Sequence, residues 1–326
     1  MLQDKEFLQF GKIKFSSLAS NKAIIALLSV FAALICYAYV PILVKLSESD
    51  LTPNATIFNC FWIAAVIMGC WNSIWTLRNH NWKEPSSVQI FPNNFQSLWL
   101  PLLLLGMFSG GHQLLYAWSL TQTSVANSEV LHSLTPLFTA GFGWLFLSQQ
   151  FERRFLLGIA IAIGGSIALV TNDFSIAFDK LQGDGLALAS AIFWGGCLLV
   201  LEKLQSQLSI IVITTWNELL GTLLVLPILL TLGDNPIPTS GKTWAIIIAM
   251  AIVGIFARLL IAYSLKQLSS SLVATILLLH PIITAILAWI IVSETLNVVN
   301  LLGFIVILLG VYLAALSKGG VKEIES

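Results

Sequence analysis

The sequence predicts an all-α integral membrane protein: ten transmembrane helices in two inverted five-helix repeats, with both termini cytoplasmic. Three observations lead there. Hydrophobic residues make up 57% of the 326 positions and charged residues 10%, with a mean hydropathy of +0.88, whereas soluble domains carry about 25% charge. Ten apolar segments come close to the roughly 20 residues that a helix needs to cross about 30 Å of hydrocarbon. Residues 114–170 recur at 259–315 with 17 identities in 57 ungapped positions.

The spans are placed at 23–44, 55–77, 98–119, 125–148, 155–171, 186–204, 210–232, 243–265, 271–293 and 299–317. Helices are the open choice because each buried backbone group must be satisfied within its own segment. The first span follows Lys5, Lys12, Lys14 and Lys22, as a signal peptide would, but the run Ala23 to Val44 is too long for a signal core and lacks a cleavage site. Ser47-Glu48-Ser49-Asp50 with Pro53 ends it, Arg78–Asn94 separates the second and third, and Gly233-Asp234-Asn235-Pro236 separates the seventh and eighth. The chain therefore divides into a cytoplasmic segment 1–22, a first repeat 23–171, a linker 172–185, a second repeat 186–317 and a tail 318–326.

Charge placement orients the spans, because cytoplasmic loops collect Lys and Arg. With the N-terminus inside, twelve of the sixteen basic residues fall on the cytoplasmic side; Lys45, Lys180 and Lys242 fall outside, and Arg258 lies within a span. Five spans is an odd number, so the second copy enters from the opposite face. Arg153-Arg154, between spans four and five, are matched by Val298-Val299 between nine and ten. Inverted repeats in an apolar chain are the architecture of transporters, and the expected location is the plasma or inner membrane.

The same composition excludes other classes. Net charge is zero with scattered basic residues, so nucleic acid is not a partner. Cys36, Cys60, Cys70 and Cys197 form no CxxC pair and read as small packing residues. Gly110-Gly111 lacks the Lys-Ser/Thr of a phosphate-binding loop and reads as a thinning of the third span for close approach. No HExxH or GxSxG motif occurs, so no enzyme is indicated, and no cofactor either.

Two stretches carry a family resemblance. Leu134-Thr135-Pro136-Leu137-Phe138 runs through Ser148-Gln149-Gln150 to Leu157-Gly158; Leu279-His280-Pro281-Ile282-Ile283 runs through Ser293-Glu294-Thr295 to Leu302-Gly303. This resembles the EamA-type members of the drug/metabolite transporter superfamily. Gly183-Asp184-Gly185 is similar to their lead-in to the second repeat. The resemblance covers nearly the whole chain after residue 22 and departs at Gln149, where the second copy has Glu294. It implies a carrier whose halves enclose a central site, lined by spans three, four, eight and nine with one and six, while five and ten are peripheral. Independently, Gly158/Gly165 and Gly303/Gly310 put small residues seven apart on spans five and ten, as close helix packing requires. A homodimer would form through these peripheral helices.

Ionisable groups at membrane depth are functional candidates by default. His112 and His132 lie ten residues either side of Gln122 at the hairpin tip, about 15 Å from it at 1.5 Å per residue. Glu129 shares the His132 face. The trio reads as a polar contact or proton relay for substrate, as a metal-ion carrier site using Glu129, His132 and His112, or as buried groups satisfying one another. Arg258, whose repeat partner is Gln113, would hold a carboxylate or phosphate or else pair with Glu218. His280, Tyr116 and Trp194 complete the expected substrate-binding set, and Tyr37, Tyr39 and Tyr263 are further candidates for an amphipathic pocket. Trp71, Trp75, Trp82 and Trp99 read as interface belt. Pro41, Pro136 and Pro281 remove helix hydrogen bonds, and the matched pair Pro136/Pro281 is the expected hinge. The expected function is a secondary carrier of a small polar or amphipathic metabolite, an amino acid or organic anion, working by alternating access. The rival class is a membrane sensor or scaffold that does not transport.

Overall fold

The computed structural model describes residues 21–47, 50–79, 95–123, 125–170, 181–280, 282–283 and 298–317. They form α1 (Asn21–Ser47), α2 (Pro53–Asn79), α3 (Phe95–Gln122), α4 (Val125–His132), α5 (Thr135–Leu147), α6 (Arg153–Val170), α7 (Leu181–Leu204), α8 (Ile210–Leu232), α9 (Gly241–Ser264), α10 (Ser270–Leu277) and α11 (Val298–Ala315). No β-strand occurs among the described residues. Among the described residues six helices, α1, α2, α3, α7, α8 and α9, are long and apolar enough to cross a membrane, and the chain is a multi-pass membrane protein. Large apolar side chains such as Leu28, Ile74, Phe146 and Leu230 are exposed on its outside, as contact with acyl chains requires.

Helix starts follow local chemistry. Ser209, Ser240 and Ser269 precede α8, α9 and α10 in extended backbone, and each hydroxyl accepts an amide hydrogen from the first turn. Gly233 ends α8 at φ 70°, a left-handed cap that glycine adopts without strain.

The sequence predicts one helix over 125–148; the structure has two. At Ser133-Leu134 the ladder gives way to a tighter bond, Leu134 N–H to Leu131 O at 3.2 Å, and α5 restarts at Thr135. Pro136 therefore sits in the first turn of a new helix, where its missing N–H costs nothing, and it does not kink a continuous one. The same break recurs 145 positions on, at Leu278-Leu279, with Leu279 N–H bonded to Ile276 O at 3.0 Å. Pro281 and residues 284–297 lie outside the described residues, as does Trp82. Two interior prolines were not singled out in the sequence: Pro101 in α3 and Pro227 in α8.

Packing exchanges between the two copies. α3 lies chiefly against α7 and α9 against α1; α2 lies against α8, and α6 against α11. Each copy's third span thus embraces the other half's first. Glycines set the closest approaches. A methyl group on Gly158 would lie 2.6 Å from the Ala314 amide nitrogen, and one on Gly310 2.6 Å from Gly158 O. The four glycines of spans five and ten face one another across the α6–α11 seam. Gly110 meets Gly221 of α8, where a methyl would lie 3.9 Å from its Cα. Cys60 and Cys197 are buried, but Cys70 is exposed on α2, so packing does not explain it.

Loops tie one end of the bundle together. Asp50 accepts the N–H groups of Thr239 at 3.0 Å and Ser240 at 3.2 Å, and the Thr239 hydroxyl as well. That hydroxyl first, then the Thr243 hydroxyl and the two backbone donors, hold the exposed Asp50 carboxyl below the usual aspartate range. Asn54 links Asp234 (2.8 Å) to Trp118 (2.6 Å), joining the start of α2 to the α8–α9 loop and to α3. At the opposite end Gln205 donates to Leu265 O at 2.6 Å, and the Ser270 N–H donates to Glu202 at 2.8 Å.

Candidate functional site

A cavity of about 190 Å³ lies where α1, α3, α4, α7, α9 and the broken end of α10 converge. All eight residues expected at a substrate site line it: His112, Gln113, Tyr116, Glu129, His132, Trp194, Arg258 and His280. So does Pro136, whereas Tyr39 is exposed and neither it nor Tyr263 reaches the cavity. Tyr37 does.

Helical spacing builds the wall. His112 and Tyr116 stand one turn apart on α3, and Ser190 and Trp194 one turn apart on α7. The two pairs meet: His112 Nδ1 is 2.9 Å from Ser190 Oγ, and the His112 ring stacks on Trp194 with centroids 4.8 Å apart. Tyr37 of α1 meets the Trp194 ring edge-on at 6.2 Å. Across the α3–α4 hairpin the His132 ring lies 5.2 Å from His112 and 5.6 Å from Tyr116. A buried hydroxyl contact between Ser119 and Ser128, at 2.9 Å, holds that hairpin in register.

Glu129 closes the row of rings. Its Oε1 accepts the Tyr116 hydroxyl, and its Oε2 lies 3.6 Å from His280 Nδ1, just past the break in α10. The contact therefore joins the first half of the chain to the second. The His132 ring packs against those of His112 and Tyr116, and its Nε2 is buried without a hydrogen-bond partner among the described residues.

Arg258 resolves the alternatives left open for it. Its Nη2 donates to Glu218 Oε2 at 3.1 Å, and Nε lies against Oε1. The fork geometry suits a carboxylate. Glu218 is completely buried and the Arg258 side chain is 16% exposed, so the acid stands behind the wall and the guanidinium faces inward. Asn217 adds a donor to Glu218 at 3.4 Å, the Phe61 ring lies 6.0 Å under the guanidinium, and Gly254 leaves room one turn back. No three His, Cys, Asp or Glu among the described residues are grouped to hold a metal ion. His112 is turned to Ser190 and Glu129 to Tyr116, so the metal-carrier alternative lacks a convergent ligand set.

Two features escaped the sequence reading. Ser190, the hydrogen-bonding partner of His112, sits among small residues with no sign of function. The second-span contribution, Ile57 and Cys60, also lines the cavity.

A model of the EamA-like transporter family matches residues 24–171 and 181–316. A protein named an uncharacterized transporter, from Methanothermobacter thermautotrophicus, is 27% identical over 73% of this chain and 71% of its own length. Another of that name, from Archaeoglobus fulgidus, is 25% identical over 83% and 91%. A pseudopaline exporter of Pseudomonas aeruginosa is 20% identical over 68% and 77%. A solved crystal structure matches with a TM-score of 0.71 at 16% identity, covering 89% of this chain and 96% of the other, a likeness of fold.

Proposed function

This chain belongs to the EamA-like transporter family, and we propose that it is a secondary carrier moving a small polar or amphipathic metabolite by alternating access. Ten spans in two inverted repeats, both termini cytoplasmic, complete the reading. It is a transporter and not an enzyme, as its relatives are.

One observation carries the proposal: Glu129 of the first repeat and His280 of the second meet at 3.6 Å inside a cavity, each beside a break in its own span. A site split between two bodies is what alternating exposure needs, because rocking one body on the other changes which end the site faces. A scaffold has no use for such groups at membrane depth. The cavity reaches Val44, Ile57 and Leu120, all within a turn or so of the end that carries Asp50 and Asp234. By charge placement that end is the external one. The opposite end is held by Gln205 and Glu202, which supports an outward-facing conformation.

Of the two cargo classes expected from the sequence, the organic anion loses its motive once Arg258 is paired with Glu218; an amino acid retains one in Glu129. Flux through the purified protein in liposomes, assayed with a broad metabolite panel, is the test. Accelerated flux of at least one cargo is expected, and no flux of any would favour the sensor or scaffold.

A further inference from the structure

Among the described residues the cavity wall carries one permanent cation, Arg258, and one carboxylate, Glu129; the cation is matched behind the wall, whereas the carboxylate faces the ionisable His280 within the wall itself. Arg258 is held through two of its nitrogens by a Glu218 that no cargo can reach, its side chain being fully buried. Glu129 is different. The Tyr116 hydroxyl supports one oxygen without neutralising it. The His280 contact, at 3.6 Å, is longer than a direct hydrogen bond and is an ion pair only when that ring is protonated, so a permanent cation can compete for the acid. A carboxylate has about four acceptor sites, so Glu129 keeps capacity for a further donor.

Beside this acid runs a continuous row of rings: Tyr116, His132, His112, Trp194 and Tyr37, with neighbouring centroids 4.8 to 6.2 Å apart. Indole and phenol faces attract cations within about 6 Å of the centroid, tryptophan most strongly. Apolar side chains, among them Val40, Val44, Ile57 and Leu120, form the remainder of the wall toward one end. A carboxylate, a bank of π-faces and an apolar extension in one cavity suit a particular shape of guest.

We propose that the cavity recognises an organic cation: a protonated or quaternary amine held at Glu129 against the Trp194–His112 ring bank, its apolar remainder lying toward Val44 and Ile57. This rests on reading the cavity as a carrier's cargo site. It narrows that reading to a charge sign, and an amino acid would enter it ammonium first.

The test is calorimetric titration of the purified full-length protein in detergent with benzyltrimethylammonium and with its anionic counterpart 3-phenylpropionate. The cation is expected to bind at least tenfold more tightly than the anion. Glu129→Gln should weaken the cation at least tenfold, and Trp194→Leu severalfold, with melting temperatures near that of the parent. Should Glu129→Gln not fold, Glu129→Asp keeps the charge on a shorter stem and is expected to retain cation preference. Tighter binding of 3-phenylpropionate, no binding of the cation, or undiminished affinity in Glu129→Gln would each overturn the proposal. Liposome flux separates this from the carrier reading: cation bound but never moved overturns the carrier and leaves the site, whereas metabolite flux by a protein that ignores the cation does the reverse.

Discussion

The α6–α11 pair and the helices around the cavity are held by opposite means. At the periphery two glycine-faced helices meet backbone to backbone, with Gly158 and Gly310 each inside methyl-group distance of the other helix's backbone. Around the cavity, contact is made by polar groups that need particular partners: Arg258 with Glu218, Tyr116 with Glu129, His112 with Ser190. In lipid, burial from water does not drive helices together, so close packing serves where nothing has to move and specific polar pairs serve where a cavity must be kept. The difference teaches that the periphery tolerates no added volume and the centre no unmatched charge.

The harshest test of that division is Glu218→Ala. It strands a guanidinium in the interior and should cost about 3–5 kcal/mol, since removing one partner leaves an uncompensated buried charge. Denaturation in detergent measures it, and the double variant Glu218→Ala/Arg258→Leu should recover much of the loss. Equal stability of single and double variants would mean that the centre is not governed by charge matching. Gly310→Val is the peripheral counterpart. Its Cβ would lie 2.6 Å from Gly158 O and against the Ala162 backbone, which cannot swing aside as a side chain can. Overpacking of this kind costs about 1–3 kcal/mol. Thermal unfolding should show the drop while benzyltrimethylammonium affinity stays at the parent value; a drop in affinity would show that periphery and centre are coupled.

Smaller effects belong to the loop end. Asn54→Ala removes the bridge between Asp234 and Trp118, and at about 1 kcal/mol per hydrogen bond the loss should be about 1–2 kcal/mol by the same melts. Asp50→Asn should have the least effect, being exposed, and its signature is pH dependence. The folded-state pKa is depressed, chiefly by the Thr239 hydroxyl. The parent's advantage is thus present above the unfolded aspartate pKa and lost as pH falls through the folded one. Melting temperatures of parent and variant should differ at neutral pH and converge in acid; a gap that persists in acid would remove the carboxylate from the explanation.

Much of this was legible in the chain because the repeat is a ruler. The offset of 145 that aligns Gly158 with Gly303 also aligns α4 with α10 and α6 with α11, residue for residue at both ends. Counting ten residues either way from Gln122 brought His112 and His132 to the same depth, and their rings lie 5.2 Å apart. What hydropathy could not show was the break at Ser133-Leu134, because an apolar run reads the same whether its helix is whole or divided. Pro136 marked the place but not the type of break. Ser190 was illegible for another reason: its partner comes from a different half, and nothing local distinguishes it from a packing serine. The choice between an anion site and an ion pair at Arg258 depended on where the Glu218 side chain points, which sequence does not encode directly.

Under the proposed alternating access, the divided spans restrict which helices can move alone. At both joints the backbone ladder tightens, Leu134 N–H bonding to Leu131 O and Leu279 N–H to Ile276 O, and a backbone so rearranged tolerates protein or water around it but not hydrocarbon. Next to the first joint, Gly195 of α7 fits so tightly that a methyl there would lie 3.1 Å from the Thr139 nitrogen of α5. A swing of α5 alone would give up this close fit, so it costs least when α7 goes as an escort.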